Sequence, residues 1–391
     1  MYKLPSSDKP GFLLLGILLV SFTLRPSITA VGPLIPFIRE DLALSNAWAG
    51  FLTTLPLISF ATFSLFSAAI GKRLGHARAI LLGMVVITVG SVFRVLGGPW
   101  ILFIGTGLTG IGIVICNVLL IPLVKVRMPG KVGKVTGIYA TAMSLMAAIA
   151  SAISVPLAMD LGWGWRGSLL FWVLFLGIAI FFWIPQIKPK KTVSNNHDEH
   201  KKANVWRSKL AWQVSLFMGV QSFLFFTLIT WLPDFFIFRG VTPTNAGLII
   251  ALMQVVGLIG TFVSPIIALK FREQSLMILI LGSCYLVGFG LLLSPHLLLN
   301  VIGISIAGLC MGASLSMAYM LITVRSGNDQ TTAALSGMAQ STGYYLAACG
   351  PLLFGVAIDI WPNWNNLVYL MLACSVCFAG FGYFAGKNRT I

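Results

Sequence analysis

The chain has 391 residues, of which 58% are hydrophobic and 9% are charged. Soluble domains carry about 25% charged residues, so this composition excludes a soluble enzyme and a soluble binding domain. A net charge of +16 would suit a nucleic-acid-binding protein, but the basic residues are scattered through short segments between long apolar stretches, which argues against that class.

Twelve apolar stretches of about 20 residues or more follow one another along the sequence. Each is long enough to cross the ~30 Å hydrocarbon core of a membrane as a helix, whereas transmembrane β-strands would be shorter and would alternate apolar with polar residues. The stretches cover residues 11–38, 46–70, 79–97, 99–124, 135–159, 167–186, 210–233, 245–269, 275–293, 297–324, 331–358 and 365–386. We therefore predict an all-α integral membrane protein with 12 transmembrane helices.

The first stretch carries Arg25 near its middle, and no acidic residue lies inside any predicted stretch to balance it. A guanidinium stays protonated and is costly at bilayer depth, so it usually faces a protein-lined, water-accessible cavity. Such a cavity attracts a solute that bears negative charge or strong hydrogen-bond acceptors. Thr29 shares the helical face of Arg25 and adds a hydroxyl. Alternatively, Arg25 could clamp a backbone carbonyl that Pro26 leaves without a donor.

Six more polar residues within or beside the stretches are candidates for binding a solute. They are Arg94, Asn117, Gln221, Gln254, Gln340 and Tyr344. Buried amides must be hydrogen-bonded, so these side chains should prefer the interior of a helix bundle to lipid. Gln340 and Tyr344 continue a helical face that begins at Ser336. Alternatively, the amides could join neighbouring helices, and Arg94 could snorkel to water at the end of its stretch.

The distribution of basic residues predicts the topology. If the N-terminus is cytoplasmic, most of the 26 Lys and Arg residues fall in cytoplasmic segments, and the opposite side holds only Arg39, Arg166 and Arg239. This positive-inside bias places both termini in the cytoplasm. The net positive charge then reflects membrane topology, so we expect the lipid bilayer, and no nucleic acid, as a partner.

A polar, charged segment at residues 187–209 predicts a cytoplasmic linker between an N-terminal bundle, residues 1–186, and a C-terminal bundle, residues 210–391. Short motifs recur in the two parts at an offset near 200 residues, such as AGFL at 49–52 and AGLI at 246–249. The chain should therefore form two pseudo-symmetric six-helix bundles. This layout resembles that of major facilitator transporters, whose solute site lies between the halves near the middle of the membrane.

Several other chemistries lack their usual residues. All ten acidic residues and all four histidines lie in loops or at the ends of the stretches, so no buried proton relay is visible. His197 and His200 adjoin two acids in the linker, but no second ligand cluster accompanies them, and we expect no metal. We find no Walker motif and no nucleophile–base pair, so we expect no enzyme and no cofactor.

Four segments closely resemble the cyanate/2-nitroimidazole transporter family of the major facilitator superfamily. They read LRPSITAVGPLIP (24–36), NVLLIPLVK (117–125), AWQVSLFMGVQS (211–222) and ALSGMAQSTGYYLAACGP (334–351). The resemblance extends over essentially all of the stretches and is nearer to the 2-nitroimidazole branch. It implies small polar or anionic solutes moved through the inner membrane of bacteria, and Arg25 and Arg94 match arginines of the family pattern.

We therefore expect a monomeric secondary transporter that moves a small anionic or nitro-bearing solute by alternating access. Arg25 should supply the main attraction, and Gln221, Gln340 and Tyr344 should supply directional hydrogen bonds. An efflux transporter for neutral or drug-like compounds is the alternative, although such a protein would normally need a buried carboxylate. An intramembrane enzyme or a membrane sensor would need a reactive cluster or an appended domain, which the sequence does not offer.

Overall fold

The computed structural model describes residues 10–128, 131–187, 205–327 and 329–391, and all regular secondary structure in these ranges is helical. The α-helices are α1 (Pro10–Leu24), α2 (Pro26–Thr29), α3 (Ile35–Asp41), α4 (Asn46–Leu74), α5 (His76–Phe93), α6 (Pro99–Arg127), α7 (Val132–Met159), α8 (Gly164–Trp183), α9 (Lys209–Phe238), α10 (Pro243–Ala268), α11 (Ser275–Leu291), α12 (Leu297–Val324), α13 (Asp329–Ile360) and α14 (Asn365–Ala385). Short 3₁₀ turns lie at Gly32–Leu34, Ile184–Gln186 and Val205–Arg207. The all-α class expected from the composition is confirmed.

Each apolar stretch of the sequence corresponds to a helical segment. Within the described ranges, eleven segments are long and apolar enough to cross a membrane, and α1 to α3 together form the first of them, Gly11–Asp41. The remaining stretch is α11, an apolar helix of 17 residues. At 1.5 Å per residue its length is roughly 25 Å, a few ångström less than the hydrocarbon core.

The seventh stretch continues further than the sequence indicated. The predicted stretch ends at residue 233, but α9 runs to Phe238 and stops before Gly240, whose φ of +82° favours a residue without a Cβ. Pro233 removes one backbone donor, and the helix passes through it. Asp234 is therefore inside the helix and only 5% exposed. The expectation that no acidic residue lies within a span is wrong at this position.

The chain folds into two compact units. The first comprises Met1–Leu44 and Ile58–Asn196, and the second comprises Ser45–Leu57 and His197–Ile391. The start of α4 is thus grouped with α9 to α14. Of the linker expected at 187–209, residues 188–204 lie outside the described part of the chain, and the turn Val205–Arg207 precedes α9.

Backbone contact joins α5 and α6 in the first unit. A Cβ on Gly90 would lie 2.6 Å from both the Gly105 carbonyl oxygen and the Thr109 amide nitrogen. A Cβ on Gly105 would lie 2.7 Å from the Gly90 carbonyl oxygen. Only a residue without a side chain fits at this crossing, which lets the two helices approach as closely as small-residue motifs allow in membranes.

The same contact recurs between α11 and α12 in the second unit. A Cβ on Gly288 would lie 2.8 Å from the Gly303 carbonyl oxygen, and a Cβ on Gly303 would overlap the Gly288 carbonyl oxygen. These glycines follow Gly90 and Gly105 at the offset of almost 200 residues that separates the repeated motifs. The two units are therefore built on one pattern of helix packing.

An arginine ties the end of the last helix in each unit. In the first unit, Arg127 at the end of α6 donates Nη2 to the Gln186 carbonyl oxygen, 2.8 Å away and just past α8. In the second, Arg325 after α12 donates Nε to the Ala385 carbonyl (3.2 Å) and Nη2 to that of Gly386 (2.8 Å), where α14 ends. Each guanidinium satisfies carbonyls that a helix C-terminus leaves without a donor. The matched arrangement confirms the expected pseudo-symmetry.

The start of α4 packs on α13 within the second unit. Asp359, near the end of α13, accepts hydrogen bonds from the Asn46 amide (3.0 Å), the Asn46 side chain (2.7 Å) and the Ala47 amide (2.8 Å). A Cβ on Gly355 would overlap the Asn46 carbonyl oxygen, so the two backbones touch. The Thr54 hydroxyl donates to the Ala348 carbonyl at 2.8 Å two turns further along.

Candidate solute-binding residues

The first membrane-spanning segment is broken at the predicted cation. Arg25 forms a turn after α1, and α2 begins at Pro26, which has no amide hydrogen to continue the helical ladder. The Arg25 carbonyl oxygen accepts hydrogen bonds from the amides of Ile28 (3.0 Å) and Thr29 (2.9 Å). Arg25 is partly exposed, whereas every residue from 26 to 35 is buried.

Thr29 anchors the broken segment to a neighbouring helix. Its side chain is buried, and its hydroxyl donates to the carbonyl oxygens of Arg25 (3.1 Å) and Ala147 in α7 (3.2 Å). Ser151, one turn further along α7, donates its hydroxyl to the Thr29 carbonyl at 3.4 Å. In this conformation Thr29 offers no surface to a solute, unlike the sequence-based expectation, because α2 turns that face toward α7.

Arg94 is enclosed by protein at the end of α5. Its side chain is 1% exposed, and its Nη1 donates to the Ser27 carbonyl oxygen in α2 at 2.8 Å. The alternative that Arg94 snorkels toward water does not hold, because no part of the guanidinium reaches the surface. Both predicted arginines are therefore next to α2. Arg25 immediately precedes this helix and is partly exposed, whereas Arg94 bonds to a carbonyl within it and is buried.

Asn117 in α6 is bonded to a tyrosine that the sequence reasoning missed. Tyr139 in α7 is 7% exposed, and its hydroxyl donates to Asn117 Oδ1. A buried tyrosine in an apolar helix usually finds a hydrogen-bond partner, and that rule was the available signal. This hydrogen bond joins α6 to α7. It matches the alternative in which the amides join neighbouring helices and do not bind a solute.

Two glutamines of the second unit make bonds within their own helices. Gln221 in α9 is buried and donates Nε2 to the Ser222 hydroxyl at 2.8 Å. Gln254 in α10 is 8% exposed, and its Nε2 lies 3.5 Å from the Ile250 carbonyl oxygen. A hydroxyl accepts and donates equally well, so the Gln221–Ser222 pair can rearrange around a solute without leaving a polar group unpaired.

The stripe expected on α13 is present. Gln340 donates Nε2 to the Ser336 hydroxyl one turn earlier at 2.9 Å. The Tyr344 ring lies 6.4 Å, centroid to centroid, from the Phe226 ring in α9. Ser336, Gln340 and Tyr344 are all partly exposed, as residues on one accessible helix face should be.

The acidic residues of the membrane-spanning helices have distinct surroundings. Asp41, at the end of α3, forms an ion pair with Arg166 at 2.7 Å and accepts a hydrogen bond from the Trp165 indole at 3.1 Å. Asp234 is buried in α9. The predicted seventh span ends at residue 233, five residues before α9 does, and so leaves Asp234 outside the helix.

Eleven segments of the described residues that are long and apolar enough to cross a membrane define a multi-pass membrane protein. The family model of the Major Facilitator Superfamily matches residues 17–351, which is most of the chain. The protein therefore belongs to the Major Facilitator Superfamily and is a secondary transporter.

Three curated relatives match almost the whole chain. It is 42% identical over 381 residues to the transporter YycB of Bacillus subtilis (strain 168), covering 97% of this chain and 94% of that one. It is 36% identical over 383 residues to the 2-nitroimidazole transporter of Escherichia coli (strain K12), covering 97% and 96%. It is 26% identical over 353 residues to the cyanate transport protein CynX of the same organism, covering 90% and 91%. The resemblance seen in the motifs is confirmed.

A solved structure shares the fold. The xylose transporter XylE from E. coli superposes with a TM-score of 0.78 over 94% of each chain, at 12% sequence identity. This likeness supports the twelve-helix architecture alone.

Proposed function

We propose that the protein moves a small anionic or nitro-bearing solute across the bacterial inner membrane by alternating access. The observation that carries this proposal is Arg25, a partly exposed guanidinium at a helix break inside a membrane-spanning segment. A protonated arginine there is costly unless water or an anion meets it. An arriving solute with negative charge would bring a favourable charge to this guanidinium.

The chemistry of the proposed solute follows from the donor. A guanidinium presents a planar fork of N–H groups that can bind two acceptors at once. Cyanate carries a full negative charge, and a nitro group presents two acceptor oxygens. The relatives named for 2-nitroimidazole and for cyanate, at 36% and 26% identity, support solutes of this size and polarity.

Polar side chains of the second unit are proposed to orient the solute. Gln221, Gln340 and Tyr344 offer amide and phenol donors, and the last two are partly exposed on one face of α13. Asn117, which accepts a hydrogen bond from Tyr139, and Gln254 are proposed as weaker candidates.

We also propose that the protein is a monomer with both termini in the cytoplasm. The excess of lysine and arginine in alternate loops supports this orientation. Each unit carries its own packed helices, so the described fold needs no second chain to be complete.

A transporter for neutral or cationic compounds is a second candidate. Such a protein would normally place a carboxylate inside the membrane, and Asp234 lies buried within α9. In that case Asp234→Asn should abolish transport and Arg25→Ala should not. The first candidate requires the reverse.

The test uses purified protein in proteoliposomes loaded with labelled cyanate or 2-nitroimidazole. Arg25→Ala should lower the initial transport rate at subsaturating solute at least about tenfold, because a charge-assisted hydrogen bond contributes about 1.5–3 kcal/mol. Arg25→Lys should restore little, since an ammonium lacks the planar fork. Equal rates for wild type and Arg25→Ala would reject the proposal.

Arg39→Ala is the matched control. Arg39 lies in α3 of the same broken segment, so its loss removes an arginine from the same part of the sequence without touching the helix break. We expect near-normal transport from this variant, and size-exclusion elution and Tm should match the wild type for both variants.

A further inference from the structure

We propose that Arg94 is a positioning residue, whose guanidinium fixes the break in the first membrane-spanning segment and so determines where Arg25 presents its charge. This inference rests on the proposed function of Arg25 and assigns a different role to the second arginine. It predicts that Arg94 controls the affinity for the solute without touching the solute.

The break leaves a backbone acceptor that Arg94 occupies. In an uninterrupted helix the Ser27 carbonyl would accept from the amide of Val31, four residues on. Here the Val31 amide donates to the Ile28 carbonyl instead, at 3.2 Å. The Ser27 carbonyl oxygen receives Arg94 Nη1 at 2.8 Å. Ser27 is only two residues past Arg25 and is itself 2% exposed.

The backbone of Arg94 is held by α5 and α6. Its amide continues the α5 ladder by donating to the Gly90 carbonyl at 3.0 Å. A Cβ on Gly105 would lie only 2.8 Å from the Arg94 Cα, so the α6 backbone presses directly on the residue. Because α5 and α6 are locked together at this point, the guanidinium transmits their position to α2.

Hydrogen bonds from α7 also hold α2. Thr29 donates to the Ala147 carbonyl at 3.2 Å, and Ser151 donates to the Thr29 carbonyl at 3.4 Å. With Arg94 bonded to Ser27, the short helix is fixed from two directions. Every residue of α2 is buried, and the partly exposed residue at its start is Arg25.

Burial separates the roles of the two arginines. Arg94 is 1% exposed, and among the described residues its Nε and Nη2 have no hydrogen-bond partner. A solute-binding arginine would be expected to turn its fork toward an accessible surface, whereas this guanidinium uses one donor on a backbone carbonyl. One donor is also what a lysine can supply, and this difference makes the proposal testable.

The experiment measures solute affinity and local backbone protection in three variants of the full-length protein in detergent. Arg94→Met should weaken the Kd of cyanate and of 2-nitroimidazole about tenfold each, so that the preference between the two solutes stays the same. Hydrogen–deuterium exchange should rise at the amides of Ile28 and Thr29. Arg94→Lys should recover most of the affinity and protection, in contrast to Arg25→Lys.

Arg239→Met is the matched control. Arg239 also donates to backbone carbonyls, those of Ser294 (2.7 Å) and Leu292 (3.1 Å), but in the second unit. Its loss should leave the Kd and the exchange of α2 unchanged.

The outcomes separate the two proposals. Unchanged affinity in Arg94→Met would overturn the positioning role, as would an altered preference between the solutes or a failure of Arg94→Lys to rescue. Each of these three results leaves the role of Arg25 intact if Arg25→Ala still lowers the transport rate. If Arg25→Ala transports normally, the proposed function fails first, whatever Arg94 does.

Discussion

At the scale of single residues, the hydrogen bond between Tyr139 and Asn117 is a polar contact between α6 and α7 whose contribution to stability can be measured. Tyr139→Phe should destabilise the protein by about 1 kcal/mol, because the partly exposed Asn117 amide oxygen loses its donor. Thermal unfolding in detergent measures the change.

A double variant provides the control for this contact. Replacing both partners with apolar residues, in Tyr139→Phe with Asn117→Leu, should recover part of the loss, since no polar atom is then left unsatisfied. A double variant less stable than the sum of the single variants would contradict this account.

Arg25 and Thr29 show what residue-level reasoning could and could not reach. An arginine within an apolar stretch is visible in any sequence, and its unusual cost identifies it as a candidate. Thr29 does follow Arg25 by one helical turn, and its amide donates to the Arg25 carbonyl oxygen at 2.9 Å. The sequence did not show that α2 packs on α7, where the Thr29 hydroxyl also bonds to the Ala147 carbonyl.

At the scale of elements, the start of α4 depends on a carboxylate from α13. Asp359 acts on the first amides of α4 as an N-cap residue would, although it comes from a distant part of the chain. Asp359→Ala should lower stability by about 0.5–1 kcal/mol, and Asp359→Asn by less, since an amide oxygen still accepts hydrogen bonds. Thermal unfolding of the purified protein measures both.

Asp160→Ala is the control for this cap. Asp160 occupies the matching place at the end of α7 and is exposed. It should change Tm by less than Asp359→Ala does. Equal losses from the two substitutions would mean that the cap on α4 contributes nothing specific.

The bounds of elements were the least predictable part of the fold. The predicted seventh span ends at residue 233, whereas α9 ends at Phe238. In a membrane helix a proline removes only one donor, and the real stop is the left-handed Gly240. A glycine following a long aromatic run was the better signal, and choosing it would have revealed Asp234.

At the scale of the whole molecule, Arg127 and Arg325 occupy matching places in the two units, and we call them the two arginine clamps. They test whether matching contacts contribute equal free energies of unfolding. Arg325 is 1% exposed and makes two backbone bonds, and its Nη2 also donates to the Gln274 side chain. Arg127 is partly exposed. Arg325→Ala should therefore cost about 3 kcal/mol or more, and Arg127→Ala about 1 kcal/mol.

Thermal unfolding and expression level in the membrane measure this difference. Arg272→Ala, an exposed arginine close to the second clamp, serves as the neutral control. If the two clamp variants lose equal stability, burial does not set the strength of these contacts.

The architecture of the whole molecule was predictable because it depends on a coarse property. Twelve apolar stretches and a repeat offset near 200 residues are enough to predict two related bundles. The glycine contacts between neighbouring helices within each bundle were not predictable. Gly90 and Gly288 look like ordinary glycines in sequence, and only coordinates show that each meets the backbone of the next helix.

The short span of α11 has a consequence for the surrounding lipid. A helix of 17 residues is at the lower limit of the lengths that cross a bilayer of average thickness. Acyl chains beside it must compress, or polar headgroups must sink toward its ends, and either adjustment costs a fraction of a kcal/mol per ångström of mismatch. We therefore expect annular lipids along this helix to form a thinner layer than those around its longer neighbours.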